Sequence, residues 1–282
     1  MKRILVPIDF SENAFNALTH GIEIANKLNA DCRIIHVRTK KTIQKYLKSN
    51  VDSLLSEDIN EWLEEIISKY KDKYRVAGKS IDFKIREGNV FKEISNQAKY
   101  DDTTLIVMGT HGASGFEDKF IGSNAYRLVS ASPVPVLAVR PERSWRGINK
   151  IVLPIGASKS SRQKVPAAVG FAKIFDAKIY VIGIKEKGYN ILNSRVNSFV
   201  KQTRKFIEKN TDLRVESSIL DSGSRIEKLI QFTEEVDADI IATKIHHAAI
   251  PFENMIKPFA NQLINEADCG VLAIPTKETL SL

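Results

Sequence analysis

Short uninterrupted apolar runs, separated by amphipathic stretches, organise the whole chain. Arg3-Ile4-Leu5-Val6-Pro7 predicts a first strand, since a brief apolar run bounded by turn residues fits a strand covered on both faces. Asp9-Phe10-Ser11 then turns the chain into a helix whose Ala14, Leu18, Ile22 and Ala25 share one face. Residues 33–37 form a second apolar strand. A long charged helix follows over roughly 41–74, with Leu54, Leu55, Ile59, Trp62, Leu63, Ile66, Ile67 and Tyr70 at helical spacing. Residues 81–85 alternate as a third strand, Gly88-Asn89 turns into a helix over 90–100, and a fourth strand ends at Met108. Ser132-Pro133 stops the next helix, and residues 136–139 make a fifth strand. Strands alternating with helices predict a parallel sheet with helices on both faces, joined by right-handed crossovers. Ligands of such sheets sit beyond the carboxyl ends of the strands, where the strand order reverses. The turns at Asp9, Val37 and Gly109 leave such ends.

Residues 146–282 repeat this plan. Ile151-Val152-Leu153-Pro154 matches Ile4-Leu5-Val6-Pro7 at an offset of 147, and residues 177–184 match 30–37 at the same offset. Farther on, Gly223 matches Gly88 and Val271-Leu272-Ala273 matches Val136-Leu137-Ala138 at an offset of 135. The difference of twelve falls within the second crossover, shorter in the second copy, because connections tolerate length changes that cores do not. The boundary falls near 142–147, dividing the chain into domains at 1–144 and 145–282.

Composition narrows the picture only a little. With 282 residues, 43% hydrophobic and 27% charged, the chain can bury two cores of ordinary size. It has no run of eighteen apolar residues and no secretory signal at its start, so a cytoplasmic protein without a membrane span is expected. Cys32 and Cys269 lie one in each half without metal-ligand spacing and read as buried thiols. The net charge of +8 is diffuse and mixed with acids; it would draw in any polyanion, nucleotides included, and nucleic acid is not the expected partner.

The candidate chemistry lies in 109–124, GTHGASGFEDKFIGSN, which joins the fourth strand to a helix. Amides at a helix start lack partners within the helix, and glycines let neighbouring amides converge, so such a loop can cradle phosphate. It is neither a Walker A loop, since no Gly-Lys-Ser/Thr closes it, nor a GxGxxG turn. Its spacing is G-x2-G-x9-G-S, with Gly109, Gly112, Gly122 and Ser123 in the four places.

In this spacing the chain resembles the universal stress protein family, of the kind that binds ATP. The resemblance implies an α/β fold of two tandem doubly wound domains, each with a five-stranded parallel sheet in the order 3-2-1-4-5 flanked by helices. It also implies roles for particular residues. The backbone of Val37 would pair with the adenine edge, with Pro7 and Met108 alongside. The Asp9 carboxylate would hold the ribose with help from Gly109. Amides around Gly112, Gly122, Ser123 and Asn124, with the Ser123 hydroxyl, would hold the phosphates of ATP, ADP or AMP, with Mg²⁺ accompanying ATP. Fifth strands of the family commonly pair across subunits; here the two domains would pair within the chain, through 136–139 and 271–274, a homodimer being the alternative.

The two copies disagree where a ligand would touch. Asp9 is matched by Gly156, and Gly109, Gly112, Gly122 and Ser123 by Lys244, His247, Lys257 and Pro258. Side chains there would crowd a polyphosphate and Pro258 would remove an amide donor, so the second half is not expected to bind ATP as the first does. Rival readings stand beside these. Asp9 could merely cap a helix, His111 could tie down its loop or touch phosphate, Lys244 could be solvated or receive an anion, and His246-His247 lacks a third metal ligand. The leading function is nucleotide binding in a stress-response protein with at most slow hydrolysis. The alternatives are an ATPase or phosphotransferase and a ligand-free interaction module. The first turn lacks the Ser-Gly-Gly-x-Asp-Ser signature of adenylating ligases.

Overall fold

The computed structural model describes residues 2–39, 52–110, 123–185, 190–220, 224–245 and 259–275, with the backbone alone described at 52–58 and 123–124. These residues pack as two compact units, one built from 2–110 and 123–134 and the other from 135–275.

The first unit holds β1 (Arg3–Pro7), α1 (Glu12–Leu28), β2 (Asp31–Arg38), α2 (Asp52–Lys71), β3 (Ile81–Glu87), α3 (Val90–Tyr100), β4 (Thr103–Gly109) and α4 (Ser123–Ala131). Its strands lie in the order β3-β2-β1-β4, and the pairings of β1 with β2 and β4, and of β2 with β3, are parallel. Parallel strands of this kind are covered on both faces, which is why Ile4, Leu5, Val6, Ile106 and Val107 are all sealed from solvent. The edge strand β3 instead alternates, as IDFKIRE, between apolar and polar positions. Right-handed crossovers place α1 and α2 on one face, where Thr19 meets Tyr70 and the Asn26 amide donates to the Lys73 carbonyl, with α3 and α4 together on the other. α1 lies close on the sheet because Gly21 has no side chain; a Cβ there would come within 2.5 Å of Val6.

The second unit repeats the plan with β6 (Lys150–Ile155), α5 (Val165–Phe175), β7 (Lys178–Ile184), α6 (Asn190–Asn210), β8 (Val215–Leu220), α7 (Arg225–Glu235), β9 (Ile240–Ile245), α8 (Phe259–Glu266) and β10 (Gly270–Pro275). Its parallel strands stand in the order β8-β7-β6-β9-β10, which is 3-2-1-4-5. β5 (Val136–Val139), which the sequence repeat places at the end of the first copy, packs with this unit. It runs antiparallel to β10, with Ala138 opposite Val271 and Val136 opposite Ala273. The sheet is therefore mixed rather than wholly parallel, and the pairing covers the β10 edge. Residues 143–150 dock onto the same unit through Asp237 and Asp239, which take hydrogen bonds from Arg143, Arg146 and the backbone amides of Asn149 and Lys150.

Several elements differ in extent from the sequence pattern. The second and third strands run farther, to Arg38 and Glu87, and the fourth includes Gly109. Helix α2 is described from Asp52, and the earlier part of the predicted helix lies outside the described residues. Of its apolar positions Ile59, Leu63, Ile66 and Tyr70 are buried, whereas Trp62 is 49% exposed. Cys32 and Cys269 are buried, and burial pushes both thiols up to about 12. No helix among the described residues is long and apolar enough to cross a membrane.

Near the amino ends of the strands the first unit is tied by ions. Arg33, on β2, donates to Asp82 on β3 and to Asp101 at the end of α3, and Arg3 on β1 reaches Asp101 at 3.2 Å. Burial alone would raise the Asp101 carboxyl, but hydrogen bonds from Gln97 and Arg33 and the charges of Arg33 and Arg3 outweigh it and hold its pKa below the ordinary value. A carboxylate whose folded pKa is lowered contributes stability above its unfolded pKa and loses it as pH falls through the folded one. Asp101→Asn is therefore expected to cost about 2 kcal/mol at pH 7, reduced from the roughly 3–5 kcal/mol of a fully buried pair because the carboxylate keeps some solvent contact. In urea unfolding the gap between wild type and variant should narrow as pH drops below the ordinary aspartate pKa.

Candidate functional site

β1 and β2 do not end together. Their ladder stops at Pro7 opposite Ile35, with the Ile8 amide donating to the Ile35 carbonyl at 2.9 Å, while β2 continues against β3 to Arg38 opposite Glu87. Ile35 thus points its backbone groups toward β1. Cys32 and Arg38 point theirs toward β3, through Cys32 N–H to the Ser80 carbonyl and Gly88 N–H to the Arg38 carbonyl. Hydrogen-bonding direction alternates from residue to residue in a strand. Val37 therefore aims both its N–H and its C=O to the β1 side, beyond the last residue of β1. The sequence pattern ended the second strand at Val37; the strand runs one residue farther, to Arg38.

The turn leaving β1 is the floor of this crevice. Asp9 is exposed, and its Oδ1 accepts from the Ser11 amide at 3.1 Å and the Ser11 hydroxyl at 2.6 Å. Ser11, not Asp9, caps α1, its Oγ accepting from the Ala14 amide at 3.2 Å. Between them Phe10 adopts φ of 62°, a left-handed conformation costly for a bulky residue. Its ring is held by His36, 4.9 Å away, and by Trp62, met edge-on at 5.6 Å. His36 Nδ1 lies 2.8 Å from the Ile8 carbonyl, which can only accept, so Nδ1 carries the hydrogen. Burial lowers the His36 pKa more than that hydrogen bond raises it, leaving the ring neutral at pH 7. Sequence reasoning missed this trio. The aromatic residue directly after Asp9 and the tryptophan off the buried stripe of α2 were the available signals.

β4 closes the other side. Pro7 ends β1, Met108 is buried, and Gly109 is the last residue of β4. Gly109 lies so close to α1 that an added Cβ would sit 3.0 Å from the Asn13 carbonyl oxygen and 3.1 Å from its carbon. Contacts with backbone leave no flexible side chain to yield. Thr110 is buried just beyond. His111, Gly112 and Gly122 lie outside the described residues, and α4 begins at Ser123, which puts the Ser123 and Asn124 backbone in its first turn. The structure thus brings Pro7, Asp9, Val37, Met108 and Gly109 to the carboxyl ends of β1, β2 and β4.

The second unit departs from this arrangement at the same places. Its β6–β7 ladder runs one pair farther, to Ile155 opposite Gly183, and Gly156 follows where the first unit has Asp9. Lys244, the counterpart of Gly109, reaches from β9 to donate to the Ser160 hydroxyl at 2.5 Å, so a side chain spans from β9 to the turn that follows β6. His246, His247, Lys257 and Pro258 lie outside the described residues. Among the described residues no group of three His, Cys, Asp or Glu is gathered for a metal.

Comparison with known proteins agrees with the fold and its repeat. A sequence model of the universal stress protein family matches residues 1–140. A universal stress protein of Methanocaldococcus jannaschii is 32% identical over 139 residues, spanning 49% of this chain and 82% of that protein. The universal stress protein YxiE of Bacillus subtilis is 29% identical over 146 residues, 49% of this chain and 98% of that one. Among solved structures, a universal stress protein from Archaeoglobus fulgidus superposes with a TM-score of 0.75 at 19% identity, covering 97% of this chain and 98% of its own, and so shares the fold along nearly the whole length. With the family model on its first half, and a relative at this identity covered over most of its length, the chain belongs to the universal stress protein family.

Proposed function

We propose that the first unit binds an adenine nucleotide, ATP or its ADP and AMP relatives, and that the second unit does not bind one in the same manner. The observation that carries this is the direction of Val37: an N–H and a C=O aimed side by side past the end of β1 match the acceptor and donor on the Watson–Crick edge of adenine. Asp9, exposed on the turn beneath, is a charged acceptor for ribose hydroxyls, and Gly109 keeps the end of β4 close to α1. The loop ending at Gly122 and the first turn of α4, with Ser123 and Asn124, would take the phosphates, and Mg²⁺ would accompany a triphosphate. Lys244 and Gly156 supply the contrast, since the second unit has a lysine where the first keeps open backbone and no carboxylate where ribose would sit.

This reading makes the protein a cytoplasmic nucleotide-responsive member of its family, built of repeats at 1–144 and 145–282. The second repeat would serve packing, dimerisation or partner recognition, its β10 edge already covered by β5.

Removing the Asp9 side chain leaves Ser11 to cap α1, so Asp9→Ala should fold with little change in thermal unfolding. In calorimetric titration it should bind ATP at least tenfold more weakly, in line with the loss of one charge-assisted hydrogen bond. Equal affinity in wild type and variant would reduce Asp9 to a turn-former. Gly109→Ala tests the close approach of β4 and α1: overpacking against Asn13 backbone should cost about 1–3 kcal/mol in urea unfolding.

A further inference from the structure

We propose that the second unit carries an anion site of its own, at the turn of 156–161 beyond β6, taking a phosphate group without a nucleoside. Three basic side chains converge on this turn from three elements. Lys244 comes from the end of β9 and donates to Ser160. Arg225 opens α7 and lies 3.8 Å from where a Cβ of Gly156 would stand. Lys164, just before α5, is only 3% exposed, and its ammonium donates to the carbonyls of Pro154 and Ser161 at 2.6 and 2.7 Å, underneath the turn.

Lys164 is the telling residue. A buried ammonium is usually matched by a carboxylate, because an isolated charge in a low-dielectric site is costly. Among the described residues both of its partners are neutral carbonyls, and the charge that acts on it is another cation, Lys244. Burial first, and Lys244 second, bring its pKa down to about 7. A bound anion would relieve both effects. The turn also offers hydroxyls: Ser158 and Ser160 are 2.7 Å apart at its outer side, and the Ser161 hydroxyl fixes the Gly156 carbonyl at 2.9 Å. A phosphate group suits this set because it accepts from ammonium, guanidinium and hydroxyl together. Gly156 has no carboxylate to hold a ribose, so the nucleoside part of a nucleotide gains nothing. The site is independent of nucleotide binding in the first unit.

The test uses the full chain at pH 7.5 and low ionic strength, with inorganic phosphate as probe. Titration followed by amide NMR should show saturable shifts at Ser160 and Ser161. Calorimetry in two buffers of different ionisation enthalpy should show net proton uptake, because Lys164 charges as the anion enters. Arg225→Gln at an exposed position and Lys244→Gln at a half-buried one, a change that keeps a polar side chain of similar length, are each expected to weaken phosphate at least tenfold, whereas Asp9→Ala should leave it unchanged. Titrating AMP into Asp9→Ala should move the same amides no more tightly than phosphate. Absence of saturable shifts at Ser160 and Ser161, unaltered affinity in Lys244→Gln, loss of binding in Asp9→Ala, or tighter binding of AMP at these amides would each overturn the assignment.

Discussion

Parallel strands of unequal length leave backbone groups of the longer one without a neighbouring strand, and the first unit's crevice depends on that mismatch. β1 ends at Pro7 while β2 goes on to Arg38 against β3. Since hydrogen-bonding direction alternates, Val37 is the position whose N–H and C=O fall on the vacated side. The turn at Asp9 crosses beneath, held in an unfavourable backbone conformation by packing of Phe10 on His36 and Trp62. Gly109 draws β4 up against the start of α1. The ion network of Arg33, Asp82, Asp101 and Arg3 locks the register of β1, β2 and β3 near the opposite end of the strands. A slip of one residue would turn Val37 away from the crevice.

The second unit shows how little is needed to change such a site while keeping its scaffold. Its strands keep the same order, and the connection between its second and third strands is the shorter one. One more ladder pair at Ile155, a glycine in place of Asp9 and a lysine in place of Gly109 turn an acidic, open turn into a cationic one. Buried Lys164 adds a basic group from below, its pKa lowered to about 7 by burial and by Lys244. Duplication preserved what packs and left free what touches solvent or ligand.

Much of the fold was legible in the sequence because both-face burial writes itself as continuous apolar runs, as at Ile4-Leu5-Val6 and Ile106-Val107, and because the repeat shows the same runs at a fixed offset. The candidate site was legible through Asp9 and Gly109, whose residue types suit a turn and a close approach. Other features carry no such mark. Periodicity groups Trp62 with Ile59 and Leu63, yet its indole lies off the buried stripe, against Phe10. Arg33 reads as a polar interruption of a strand and is instead the hub of an ion network. The direction of the Val37 backbone depends on where its neighbour ends, and the antiparallel setting of β5 on β10 depends on which edge is available. Both are tertiary facts with no local signature.

The most direct measurement is an amide NMR titration of the full chain with ATP, comparing Val37 with Ile184, its equivalent on β7. If adenine pairs with the Val37 backbone, the Val37 amide shows a large saturable shift as it donates to the ring, with Ile184 unmoved at the same concentrations. A shift at Ile184 in place of Val37, or a nucleotide that binds while the Val37 amide stays still, would contradict it.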